Sequence, residues 1–321
     1  MKKYLALILV VALLAALTGC GGGAASDDLY VVGICQLAQH PALDAATQGF
    51  TEALKAKLGD KVVIKEQNAS GESVNCGPII NSFLADGVDL IMANATSPLQ
   101  AAASATSTVP ILGTSVTDYA SALEISDWTG TVGGNISGTS DLAPLDQQAA
   151  MVKEWFPDAK TVGLLYCSAE ANSQYQVDVI TEKLTALGYT CKPFSFTDTN
   201  DVASVTQKAC DESDVIYLPT DNTAANNTEA IANILLPSKT PAITGEEGIC
   251  RGCGVATLSI SYHDLGYTTG EMAAKILTGE ADIATMPIAY APQVTKMYNP
   301  ANCEALGLTP PDGYTAMSDA G

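Results

Sequence analysis

From residue 29 onward the chain alternates short apolar runs with longer segments whose apolar residues recur every three or four positions. This alternation is the signature of βαβ units around a parallel sheet. The runs 29–34, 62–66, 90–93 and 110–113 predict four strands in the first half. Pro41 opens a helix that continues to about residue 58, with Ala46, Phe50, Ala53 and Leu54 as its apolar stripe. Residues 73–86 predict a second helix, Pro98 starts a third, and Tyr119 begins a further helical or loop segment. The second half repeats the rhythm. Its strands fall at 161–166, 190–195, 215–219, 241–244 and 255–261, and its helices at 143–156, 173–187, 202–210, 223–236 and 266–277. Between the halves, residues 133–141 are rich in Gly, Ser, Thr and Asn and lack helical periodicity. The chain beyond residue 255 is what a two-lobed fold needs to cross back between lobes and form a hinge with a cleft. The expected division is 29–138 plus about 262–285 in one lobe, and 139–261 plus about 286–321 in the other.

The first 28 residues read differently. Lys2 and Lys3 precede an apolar stretch, 5–17, too short to span ~30 Å of hydrocarbon comfortably. Leu17-Thr18-Gly19-Cys20 then resembles a bacterial lipobox, so residues 1–20 are expected to be a lipoprotein signal with Cys20 as the acylated residue. Residues 21–28, rich in Gly, Ala and Ser, read as a flexible tether. The expected location is extracytoplasmic, with membrane attachment through lipid only.

Composition narrows the chemistry. The formal charge is −20, from 15 basic and 35 acidic residues, which argues against nucleic acid and anionic membrane surfaces as partners. Arg251 is the single arginine, so bidentate arginine recognition of phosphates is nearly excluded. Two histidines, His40 and His263, do not suggest a metal site. Eight cysteines follow Cys20, an even number that permits disulfides outside the cytoplasm. Cys250-Arg251-Gly252-Cys253 has no second C-x-x-C to complete a zinc site and reads as a loop staple or as free buried thiols. The nucleophile elbow, the dinucleotide-binding glycine fingerprint and the P-loop are absent from the sequence, so no enzyme, cofactor or metal is expected.

In open α/β sheets ligands bind beyond the carboxyl ends of the strands. Polar residues collect there: Gln36 and His40 after the first strand, Thr96 and Ser97 after the third, and Thr114 and Ser115 after the fourth. Thr139, Ser140 and Asp141 stand at the lobe boundary. Glu170, Asn172 and Ser173, then Asp221 and Asn222, then Glu246 follow strands of the second half. Helix starts can hold a carboxylate without arginine, and the acidic residues can hold an ammonium group. Together they suit a zwitterion such as an amino acid. Asp141 or Asp221 is expected to pair the ammonium, and Ser140, Ser173 and helix-start N–H groups the carboxylate. Tyr119, Tyr262 and Tyr267 read as packing residues first and as ring-stacking candidates second.

Several segments carry a resemblance. Gly33-Ile34-Cys35-Gln36-Leu37 with His40-Pro41-Ala42-Leu43-Asp44, Asn135 through Asp141, Glu170-Ala171-Asn172-Ser173, Thr220-Asp221-Asn222 and Asp264-Leu265-Gly266-Tyr267 are similar in order and spacing to ABC-transporter substrate-binding lipoproteins of the tryptophan/tyrosine type. The resemblance implies an α/β type I periplasmic-binding-protein fold: two Rossmann-like lobes with parallel sheets, joined by a multi-strand hinge. It implies a monomer that binds a small solute, with aromatic amino acids favoured, and delivers it to a permease whose ATPase is a separate polypeptide. A sensor presenting the same solute to a membrane receptor or kinase is the alternative. The chain departs from the family's usual Thr-Pro pair by carrying Thr96-Ser97-Pro98.

Overall fold

The computed structural model describes residues 29–318. The expected signal, lipobox and tether, residues 1–28, lie outside the described residues. Two parallel-dominated sheets carry the architecture. The first contains β1 (Tyr30–Gln36), β2 (Val62–Asn68), β3 (Leu90–Asn94), β4 (Ile111–Val116), β5 (Ile136–Ser140) and β11 (Ala289–Tyr290). Their spatial order is β11-β5-β4-β3-β1-β2. The second contains β6 (Thr161–Cys167), β7 (Thr190–Phe196), β8 (Val215–Leu218), β9 (Ala242–Thr244), β10 (Ala256–Ser259), β12 (Thr295–Tyr298) and β13 (Thr315–Ala316), ordered β13-β12-β10-β9-β8-β6-β7. Among the strand pairs of the described residues only β10–β12 is antiparallel.

Helices cover both faces of each sheet, which is why the central strands are apolar throughout rather than alternating. In the first lobe, α1 (Pro41–Leu58) packs on Val32, Ile34 and Met92, while α2 (Cys76–Ala85) and α3 (Thr96–Ala105) pack on Cys35, Ile91 and Ala93. A short α4 (Tyr119–Ala122) follows β4. The second lobe is built likewise from α5 (Leu145–Trp155), α6 (Ala171–Ala186), α7 (Val202–Glu212), α8 (Asn222–Asn226), α9 (Thr228–Leu235) and α10 (Glu247–Cys253). The chain then returns through α11 (Tyr262–Leu277) to the first sheet, and again through β12 and α12 (Pro300–Leu306) to the second. The lobes are therefore joined by three crossings: after Ser140, after Ser259 and after Tyr290.

Helices α1 and α11 cross at backbone contact. A Cβ on Gly266 would stand 1.9 Å from the Ala46 carbonyl oxygen, and one on Gly49 2.1 Å from that of His263. Only glycine fits at either position.

The structure departs from the sequence expectations at four places. The expected boundary stretch 133–141 contains a strand, β5. Its polar sequence Ile-Ser-Gly-Thr-Ser is fully buried, with the Ser137 hydroxyl donating to the Met286 carbonyl and the Thr139 hydroxyl bonded to those of Thr114 and Thr269. Thr139, Ser140, Ala289 and Tyr290 belong to the first sheet, so the crossings fall later than expected. The expected helix 223–236 is broken in two at Asn227, whose ψ of 22° is not helical. α11 begins at Tyr262 because the Ser261 hydroxyl accepts from the Asp264 N–H at 3.2 Å, an N-cap. Of the two readings of the C-x-x-C, the structure has the free buried thiols: Cys250 and Cys253 lie on α10, and the Cys253 thiol donates to the Ile249 carbonyl.

Candidate functional site

The carboxyl ends of both sheets face one another across a narrow polar cleft. The first lobe contributes His40 and the first turn of α1, Ser115 and Thr117 after β4, and Asp141 after β5. The second contributes Asn172, Thr220, Asp221, Asn222, Ala225 and Glu246, and Tyr262 enters from the hinge.

Among the described residues Asp141 has no basic partner. Its Oδ2 accepts from the Tyr262 hydroxyl at 2.8 Å, while its Oδ1 is buried without a partner. Burial pushes this carboxyl above the usual range, against the pull of Tyr262 and Thr117. Ser115 is the second unpartnered group: its Oγ is buried and bonded to nothing. A register shift between Gly113 and Val116 and a φ of +53° at Ser115 turn this hydroxyl into the cavity. Such backbone is strained for a residue with a side chain and clusters at binding sites. His40 is the third. It precedes α1, its Nε2 is 3.2 Å from Asn222 Oδ1 across the cleft, and its Nδ1 is buried without a partner. The first-turn N–H groups of α1, at Ala42 and Leu43, have no intrahelical acceptor and no side-chain cap.

The other two acidic groups of the cavity are committed to backbone. Asp221 caps α8, accepting from the Ala224 N–H at 2.7 Å and the Cys167 N–H at 2.6 Å. Glu246 caps α10, accepting from the Gly248 N–H at 2.6 Å and from the Ile249 N–H. Burial pushes both carboxyls up, each to about 7. Asp141 Oδ1 is thus the free carboxylate oxygen in this cavity.

Of the strand-end residues read from the sequence, His40, Ser115, Asp141, Asn172, Asp221, Asn222 and Glu246 line the cavity. The others stand behind or beside it. Gln36 donates to Asp44 Oδ1 and to the Ala38 carbonyl and accepts from Thr47, which locks the loop that carries His40. The Ser140 hydroxyl donates to the Thr117 carbonyl, and Ser173 bonds Asn172. Neither serine lines the cavity, whereas Ser115 and the α1 start do. Thr139 is enclosed between β5 and α11, and Thr96 is buried at the start of α3. Ser97 and Glu170 face a separate interlobe space bordered by Glu72 and Asp198. Glu170 also reaches the cavity indirectly, by holding Asn222. Among the described residues no cluster of His, Cys, Asp and Glu is grouped to hold a metal ion.

Two lobes with parallel sheets, three crossings and a buried polar cavity between the strand ends define the type I periplasmic-binding-protein architecture. The chain belongs to the ABC transporter substrate binding protein family, whose model matches residues 31–319. It is 32% identical to a tyrosine-binding protein of Clostridioides difficile, over 96% of this chain and 93% of that one. Among solved structures, an ABC domain from Streptococcus pneumoniae in complex with L-Trp is 30% identical, with a TM-score of 0.85 over 90% of this chain and all of that one. The ligand-free, open structure of a substrate binding protein with adhesive properties from Clostridium difficile is 34% identical, with a TM-score of 0.69 over 91% of this chain and all of that one. Substrate-binding proteins of ABC transporters work outside the cytoplasm, and no helix among the described residues is long and apolar enough to cross a membrane.

Proposed function

We propose that this protein is the monomeric, lipid-anchored receptor of an ABC importer, gripping an amino acid, with aromatic ones favoured, between its lobes. Asp141 Oδ1 takes the α-ammonium group, and Ser115 Oγ with the N–H groups at the start of α1 takes the α-carboxylate. Leu43, Ala42, Ala225 and the Tyr262 ring offer the apolar surface for the side chain. Cys20 carries the acyl anchor, and the loaded form docks on a permease whose ATPase is a separate chain. No chemistry is done on the solute.

The observation that carries this reading is the pair of orphaned groups, Asp141 Oδ1 and Ser115 Oγ, lining one interlobe cleft beside an uncapped helix start. A buried polar atom without a partner is costly, and a zwitterion completes both. The ligands in the names of the relatives, tyrosine and L-Trp, agree with it. The chain also superposes better on the L-Trp complex than on the more similar open, ligand-free structure, as expected of lobes in their closed arrangement. In a receptor of this kind the solute favours the closed form by its differential contacts.

A thermal-shift panel of the twenty amino acids, nucleosides and small sugars tests the proposal. A ligand of the native state raises Tm with its concentration relative to Kd. One or a few amino acids are expected to do so. A strong shift from sugars or nucleosides, with none from amino acids, overturns it.

A further inference from the structure

The hydrogen bonds around His40 leave it one role toward a solute. Both oxygens of Glu170 accept. Oε2 takes the Asn222 N–H at 3.0 Å, the Asn222 Nδ2 at 2.7 Å and the Asn172 Nδ2 at 3.2 Å, and Oε1 takes the Thr223 N–H and hydroxyl, both at 2.8 Å. Five donors converge on the two Glu170 oxygens, the Asn222 Nδ2 at 2.7 Å among them, so the Asn222 NH₂ faces Glu170 and its Oδ1 faces His40. An amide oxygen only accepts. The 3.2 Å contact therefore requires the proton on His40 Nε2, which leaves Nδ1 as a bare acceptor. This nitrogen is buried, has no donor among the described residues, and belongs to a residue lining the cavity.

We propose that His40 Nδ1 accepts a hydrogen bond from a neutral O–H or N–H on the solute's side chain, so that this site selects amino acids bearing such a donor over those without it. The proposal rests on the amino-acid reading above and names the subset of that class. The ammonium is not the donor meant, because Asp141 Oδ1 is the charged acceptor for it. The position of His40 at the start of α1 supports a neutral ring, since the helix dipole disfavours a cation there. Burial acts in the same direction, lowering the His40 pKa against the opposing pull of Asn222, Glu170 and Asp44. A site built to accept from a donor discriminates against the analogue lacking it, because the buried acceptor is then left unpaired.

The test is calorimetric titration of the mature protein with matched pairs: L-tyrosine against L-phenylalanine, L-tryptophan against 1-methyl-L-tryptophan, and L-threonine against L-valine. The pair that fits the pocket is expected to favour its donor-bearing member by about ten- to a hundredfold. In His40→Leu that preference is expected to shrink to within about threefold, whatever the change in absolute affinity. Equal affinities within every binding pair of the wild-type protein overturn the inference, and they do so without relying on the variant folding. So does a preference that survives in a folded His40→Leu. If His40 instead received the ammonium, the substitution would weaken both members of a pair alike, which also overturns it. Binding by no amino acid at all overturns the amino-acid reading together with this inference, whereas binding without discrimination overturns the inference alone.

Discussion

Replacing Asp141 with asparagine separates charge from shape at the centre of the proposed site. The amide keeps the volume and can still accept from the Tyr262 hydroxyl through its oxygen, as Oδ2 does at 2.8 Å. What is lost is the negative charge on the side of Oδ1, the atom left without a protein partner. Breaking a buried ion pair by removing one partner costs about 3–5 kcal/mol. At about 1.4 kcal/mol per decade, Asp141→Asn should weaken amino-acid binding by about a hundred- to several-thousand-fold. The ligand-free protein should respond in the opposite sense. A carboxylate buried without a compensating cation opposes folding, and burial already pushes this carboxyl up. The unliganded Tm should therefore stay the same or rise. Calorimetric titration and thermal unfolding of the two proteins read both quantities. Affinity within about threefold of wild type would refute the ammonium role. A large fall in unliganded Tm would show instead that Asp141 is a structural residue whose loss disorders the hinge.

Three further outcomes follow from the same geometry. Gly49→Ala places a Cβ against the His263 carbonyl and forces α1 and α11 apart, which should cost about 1–3 kcal/mol and lower Tm by several degrees in thermal unfolding. The ratio of phenylalanine to tyrosine dissociation constants should be largest above the ordinary histidine pKa of about 6.5 and shrink in acid. Burial lowers the His40 pKa, so the acceptor nitrogen is present at neutral pH and is lost as the falling pH protonates the ring. Glu170 and Asp44 beside His40, and Asp141, Asp221 and Glu246 in the cavity, are common to both complexes and largely cancel in the ratio, so a pH-independent ratio counts against a neutral His40. Finally, Cys20→Ala should move the protein from the detergent phase to the aqueous phase in a Triton X-114 partition, because acyl chains supply roughly 0.8 kcal/mol per buried methylene. Partition unchanged from wild type would remove the lipid anchor.

The sequence made most of the scaffold legible, for physical reasons that also explain what it hid. Parallel strands buried on both faces read as apolar runs, and β3 (Leu90–Asn94) and β6 (Thr161–Cys167) were visible for that reason. Helix α1 was legible in full because proline marks its start and its apolar residues keep one stripe. β5 was hidden because its buried side chains are hydroxyls that find partners on neighbouring elements. Helix α10 was hidden because Glu-Gly-Ile-Cys-Arg-Gly-Cys has too few helix formers to suggest one, and Glu246 supplies the cap that starts it.

The site divides in the same way. Polar residues at strand ends were the right signal for His40, Asp141, Asn172, Asp221, Asn222 and Glu246. The same signal also gathered Gln36, Thr139, Ser140 and Ser173, whose polar atoms are consumed within the protein. Spacing cannot distinguish an occupied hydroxyl from a free one. Ser115 was gathered by the same signal, but only the backbone turn that aims it sets it apart from Thr114, and Tyr262, read first as a packing residue, is brought to Asp141 by the hinge helix.

The contact between Asp141 and the solute is decisive, and a crystal structure with the amino acid that gives the largest thermal shift measures it. The ammonium nitrogen should lie about 3 Å from Asp141 Oδ1, with the carboxylate at Ser115 and the α1 start and both lobes touching the solute. A solute bound elsewhere, or bound here with Asp141 Oδ1 still unpartnered, would contradict it.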